Sequence, residues 1–189
     1  MAILKFGIFL RKKLLCLVGM TLFACMPFPA YANDATLLAE GKIKAGLVYN
    51  FLKYTSWPST VLSQEHPVFH ICLLGGDSFE GALHPLQGRT AQQYKINIRL
   101  LHNIGPENKC HVLYIHQTWG RELEKILKRL EGKAILTMSD IKGFARRGGM
   151  VELSRQPDKR IHLYINRQKI RQSRLRLEDH LAKLAKMVK

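Results

Sequence analysis

Three short runs at residues 68–74, 110–115 and 134–138 are apolar nearly throughout, and they constrain the fold more than any other feature of this chain. A run of this length without polar alternation reads as a strand buried on both faces, which is the condition of strands in a parallel sheet covered by helices. The segments between and around the runs have helical spacing. Residues 35–54 place Leu38, Ile43, Leu47, Phe51 and Tyr54 near one stripe, and Trp57-Pro58 ends that helix. Asp77-Ser78 is placed to cap a short helix reaching Leu86, and residues 119–130 carry Leu123, Ile126, Leu127 and Leu130 on one face.

The remaining pattern completes the order. Ile96, Ile98 and Leu100 alternate as a half-buried strand, and Arg147-Gly148-Gly149 is a turn. Residues 150–153 and 161–165 bracket Gln156-Pro157-Asp158 as a hairpin. Asn166 caps a helix over 167–172, and 177–188 reads as a last amphipathic helix. Strands alternating with helices, then a hairpin, predict an α/β three-layer sandwich. Its sheet is mainly parallel with an antiparallel edge hairpin, and helices cover both faces.

The N-terminus sets the compartment. Lys5, Arg11, Lys12 and Lys13 precede a short apolar stretch over residues 14–28, and Ala30-Tyr31-Ala32 follows. A basic start, a greasy segment and a small-x-small site form a cleavable secretory signal over residues 1–32, leaving one domain over 33–189. A competing reading makes Cys25 of Leu22-Phe23-Ala24-Cys25 a lipoprotein anchor, but Phe23 is bulky for that position. Retention as a membrane anchor is opposed by Pro27 and Pro29. Export to the periplasm removes chromosomal DNA and cytosolic nucleotides as partners. The formal charge of +16 falls to about +12 once the signal is gone, so an acidic protein surface or anionic head groups are the natural counterparts.

Of four cysteines, Cys72 and Cys110 lie beyond the signal. In an exported chain such a pair is most simply a disulfide. No Cys-x-x-Cys exists. A metal set drawn from His70, Cys72, Cys110 and His111 is opposed by strand alternation, which turns His111 away from Cys110. Catalytic patterns are missing too. Gly75-Gly76-Asp77 follows a strand without phosphate-loop spacing, so it reads as a tight turn. Ser139-Asp140 has no nucleophile elbow around it, and the carboxylates form no compact acid/base pair. No cofactor or metal is expected.

Taken together, several segments resemble the YfiR family. They are residues 43–54 with Trp57-Pro58, 69–75, 110–115, 135–140, Phe144-Ala145, Gly148-Gly149-Met150-Val151 and Ile165-Asn166. The resemblance implies a periplasmic α/β protein without catalytic activity. Such a protein binds the periplasmic sensor region of a membrane-bound diguanylate cyclase and represses it, lowering cyclic di-GMP and biofilm formation. It also implies that Cys72 and Cys110 are the family's cysteine pair. Some members carry a second pair near the Gly-Gly segment, where this chain has Ala145 and Glu152. The glycine usual between the last two helical segments is absent, with Arg174 in that stretch.

The candidate partner surface is the basic stretch from Lys159 to Arg176. Within it Arg167, Arg171 and Arg174 would share a helix face, and the Gly148-Gly149 turn is the next place for the interface should that stripe be only solvated surface. Trp57 is expected to anchor the first helix on the sheet. Asn50, on a mostly apolar face, is expected to need hydrogen-bond partners, and Asn166 is a structural cap. Self-association as a homodimer stays open, as does an alternative in which the same fold serves a periplasmic ligand-binding or structural role with another partner.

Overall fold

The computed structural model describes residues 32–189 apart from 63–66, 106–107, 159, 184 and 189. The expected signal segment with Cys25 and the basic residue Lys159 therefore lie outside the described residues. The chain divides between Asn33 and Asp34 into two units, and the second holds every strand. Helix α1 (Ala32–Lys53) leads into β1 (Thr55–Ser56) and β2 (Val68–Leu74). A short hairpin, β3 (Thr90–Ala91) and β4 (Tyr94–Leu101), comes next. Then come β5 (Val112–Ile115), α2 (Leu123–Arg129), β6 (Leu136–Ser139), β7 (Val151–Arg155), β8 (Ile161–Asn166) and α3 (Arg167–Gln172). The chain closes with β9 (Arg176–Leu177), α4 (Asp179–Lys183) and β10 (Lys186–Val188).

Eight strands form one sheet in the order β10-β8-β7-β6-β5-β2-β4-β3. The pairs from β4 through β2, β5 and β6 to β7 are parallel, and β7–β8 and β3–β4 are antiparallel. The three apolar runs are the central strands β2, β5 and β6, as buried parallel strands must be. Alternation splits them between two cores. Phe69, Ile71, Leu73, Val112, Tyr114, Leu136 and Met138 join Val48, Phe51 and Leu52 of α1 on one face. Cys72, Leu74, Leu113 and Ile115 join Leu123, Ile126, Leu130 and Phe144 on the other.

Four local expectations differ from the structure. Leu38 and Ile43 are 47% and 55% exposed, and the buried stripe of α1 runs instead through Gly41, Lys44, Ala45, Val48 and Leu52. Asn50 is exposed, so it is solvated and needs no protein partners. Asp77 does not start an α-helix. Its carboxylate accepts from the Phe79 and Gly81 N–H groups and closes a turn, and only a 3-10 turn at His84–Leu86 follows. Residues 177–188 are not one helix. After α4 the chain straightens into β10, which pairs in parallel with Tyr164, Ile165 and Asn166 of β8. The outer edge of β8 offers unpaired backbone groups, and satisfying them outweighs the helical preference of a short basic segment. The β7–β8 hairpin thus has β10 outside it.

Trp57 is buried just past α1, its ring 5.1 Å from that of Phe69 and 6.5 Å from that of His111. The end of α1 is held further by Gln92, whose side-chain amide lies at 2.9–3.1 Å from the carbonyls of Leu52, Lys53 and Thr55. These include orphan acceptors of the last helical turn.

Candidate functional site: two clefts and two clasps

In open α/β sheets the ligand crevice lies beyond the carboxyl ends of the strands, where the chain reverses its direction of travel across the sheet. Here that point lies between β2 and β5: after β2 the chain builds outward to β4 and β3, then returns to β5, β6 and β7. A cleft of about 330 Å³ opens there, lined by Glu40, Lys44, Ser78, His116, Asp140 and Arg155 among others. Gly41 brings α1 close to its wall, since a Cβ at that position would collide with the Phe79 carbonyl.

A row of alternating charge runs along the cleft. The Lys44 ammonium lies 2.7 Å from Glu40 and 2.8 Å from Asp140, and Glu40 reaches Arg155 at 3.1 Å. Lys44 is only 6% exposed. Burial alone would lower its pKa, but the hydrogen bonds to Asp140 and Glu40 outweigh that and hold it above the ordinary lysine value. The second Asp140 oxygen, the Ser78 hydroxyl and the Tyr114 hydroxyl are buried together behind the cleft, and the Tyr114 hydroxyl interacts with both of the others. Burial, then the Asp140 carboxylate, push the Tyr114 phenol well above its ordinary value. Sequence reading missed this site. Its signal was the Glu40-to-Lys44 spacing of four, which pairs charges on a helix face.

The other candidate region lies by Gly148. A smaller cleft of about 200 Å³ is lined by Leu127, Glu131, Arg147, Gly148, Lys169 and Ser173 among others. Lys169 pairs with Glu131 at 3.1 Å, and Arg147 donates to the Gly120 carbonyl. Gly148 sits at φ +97°, a conformation open to glycine. Gly149 is buried beneath the Phe144 ring, which fills the space a Cβ would need. Of the glycine pair, only Gly148 lines the cleft. Arg167 and Arg171 are exposed on α3, four apart and hence on one face. Arg174 does not share that helix: α3 ends at Gln172 and Arg174 turns left-handed at φ +59°. All three arginines make no ion pair among the described residues.

Two clasps tie separate segments of the sheet. Cys72 and Cys110 are bridged, with Cα atoms 5.8 Å apart, inside the range a disulfide requires. The bridge occupies both thiolates, which dismantles the His/Cys metal set. On the opposite sheet face His111 accepts from the His70 N–H through Nδ1, at 2.9 Å, while Nε2 faces the Val61 carbonyl at 3.0 Å. The second clasp is not covalent. The buried Glu152 carboxylate accepts from the Gly143 N–H at 3.0 Å and the Ala145 N–H at 3.1 Å. Asn166 accepts from the Lys169 N–H as the α3 cap and donates to the Ala145 carbonyl at 2.9 Å. Positions 145 and 152 are therefore joined here by a carboxylate that accepts from a backbone amide.

No helix among the described residues is long and apolar enough to cross a membrane. No curated protein matches the chain. A family model described as YfiR/HmsC-like matches residues 41–186, from the wall of the charged cleft through to β10. The chain belongs to the YfiR/HmsC-like family.

Proposed function

We propose that this protein is a non-catalytic periplasmic regulator that binds the periplasmic region of a membrane-bound diguanylate cyclase and represses it, lowering cyclic di-GMP and biofilm formation. The observation that carries the reading is the family match over residues 41–186. The Cys72–Cys110 bridge supports it, because disulfides persist in oxidising compartments. The sequence features of an export signal support it as well.

The contact surface we propose is the exposed basic edge formed by Arg167, Arg171 and Arg174 beside Gly148. Unpaired cations gathered on one segment favour an acidic partner surface and speed its encounter. Deleting the gene raises cyclic di-GMP, and the exported protein restores the low level whereas a form without residues 1–32 does not. Unchanged cyclic di-GMP in a strain that expresses the protein would overturn the reading. Charge reversal of the three arginines leaves melting within about 0.5 kcal/mol but slows association with the cyclase's periplasmic region at low salt. Unaltered association and salt dependence would move the interface elsewhere.

A further inference from the structure

The two faces of the sheet show different chemistry to solvent. In register, Lys95 and Arg99 of β4 stand beside Val68 and Cys72 of β2, and paired residues of neighbouring strands point to the same face. Both exposed side chains thus project from the face that Cys72 shares with α2. On α2 itself Leu123, Ile126 and Leu130 turn inward. Lys125, Lys128 and Arg129, three and four positions apart, turn outward and are exposed. Arg146 is exposed on the adjoining turn, which Arg147 ties to the Gly120 carbonyl ahead of α2. None of these cations makes an ion pair among the described residues. Of the acids nearby, Glu124 and Glu131 already face Arg147 and Lys169. The exposed large apolar side chains are elsewhere. Leu37, Leu38 and Ile43 lie on α1, across the sheet, and Val61 is in the loop whose carbonyl meets His111 beside Trp57. Leu100 and Met187 stand in register with Leu73 and Ile165, which belong to the core under α1.

We propose that the α2 face docks on a membrane surface through the phosphate groups of anionic lipids. A protein partner would call for an apolar centre, because binding energy concentrates in buried anchors and rim charges add little. The α2 face presents spread cations and no exposed large apolar side chain among the described residues. A lipid surface matches that pattern. Its charges are many and mobile, so each cation finds a counter-charge without a fixed register. Docking in this way turns α1, with its exposed apolar side chains, away from the bilayer. The inference does not rest on the cyclase reading, because none of these residues belongs to the proposed contact surface.

The test is sedimentation of the disulfide-bonded, exported protein with vesicles of phosphatidylglycerol and phosphatidylethanolamine, and with phosphatidylcholine vesicles as the neutral control. The protein sediments with the anionic vesicles at about 20 mM salt, is released at about 500 mM, and stays in solution with the neutral ones. Lys125→Gln, Lys128→Gln and Arg129→Gln together weaken binding to anionic vesicles about a hundredfold, with an unchanged melting temperature. Lys95→Gln with Arg99→Gln weakens it about tenfold, and serves where the triple variant does not fold. Arg167→Gln, Arg171→Gln and Arg174→Gln together remove the same charge from another place, and binding falls about threefold at most. Failure to sediment with anionic vesicles, or equal sedimentation with neutral ones, sinks the proposal. An equal loss in the two triple variants would assign the binding to net charge rather than to this face. Full vesicle binding by the α2 variant, with slower association to the cyclase's periplasmic region, would give the face to an acidic protein and overturn the proposal too.

Discussion

The two clasps hold the sheet at two places by different physics. Cys72–Cys110 ties the centre of β2 to the residue pair that opens β5, across 38 positions of chain, and acts chiefly by restricting the unfolded ensemble. The Glu152 clasp ties β7 to the 143–145 turn by two charge-assisted hydrogen bonds, and acts only in the folded state. The covalent clasp is indifferent to polarity around it but sensitive to reductant. The carboxylate clasp is immune to reductant but depends on every donor staying in place. Of the two clasps, only Cys72–Cys110 is therefore a redox-sensitive bond.

The largest expected effects lie on the covalent side. Replacing Cys72 and Cys110 together by serine releases the closed loop and costs about 4 kcal/mol in the chain-entropy model. Urea melts of the oxidised parent and the double variant measure the difference, and reductant should narrow it. Equal midpoints would show that the bond adds nothing to the folded state. Trp57→Ala opens a hole between α1, Phe69 and His111 and costs about 3–5 kcal/mol. An unchanged melting temperature would make Trp57 a contact residue rather than an anchor.

On the other side, Glu152→Ala strands the buried Ala145 N–H and loosens the turn that carries Phe144. The cost is about 2–3 kcal/mol, independent of reductant. If the loss appeared only after reduction, the two clasps would be one coupled unit, and the comparison would fail.

The smallest effect is a pH dependence confined to the covalent corner. His111 must be neutral, with its proton on Nε2, to accept from His70. Burial lowers its pKa against the raising effect of the Val61 carbonyl. Burial, then Arg99, His111 and Lys109, lower His70 to about 4. Both histidines take up protons more readily when unfolded. Their contribution is therefore complete above the ordinary histidine value of about 6.5 and drains away as pH falls toward 4. Urea midpoints at pH 7 and pH 5 measure this, and His111→Gln should flatten the slope. A midpoint that rises on acidification would reverse the assignment.

The sequence carried the central sheet because a continuous apolar run leaves few alternatives. Strands β2, β5 and β6 had to be buried on both faces, and their covering helices came with them. The turn at Gly148-Gly149 and the cap at Asn166 were legible for a similar reason, since each depends on neighbours within a few residues. What failed was long-range. Asn50 reads as part of the inner face of α1, and Lys44 gives no sign of burial, when apolarity alone marks the stripe. The actual inner stripe is set by where Asp140 and Phe79 stand, about 100 and 35 positions away. Residues 177–188 had helical spacing, but the free edge of β8 drew Lys186–Val188 into a strand. Local composition therefore determined which segments are strands, turns and caps. Only the tertiary structure decided which charges are buried together, because that depends on the ends of separate strands meeting in space, and no spacing along the chain encodes it.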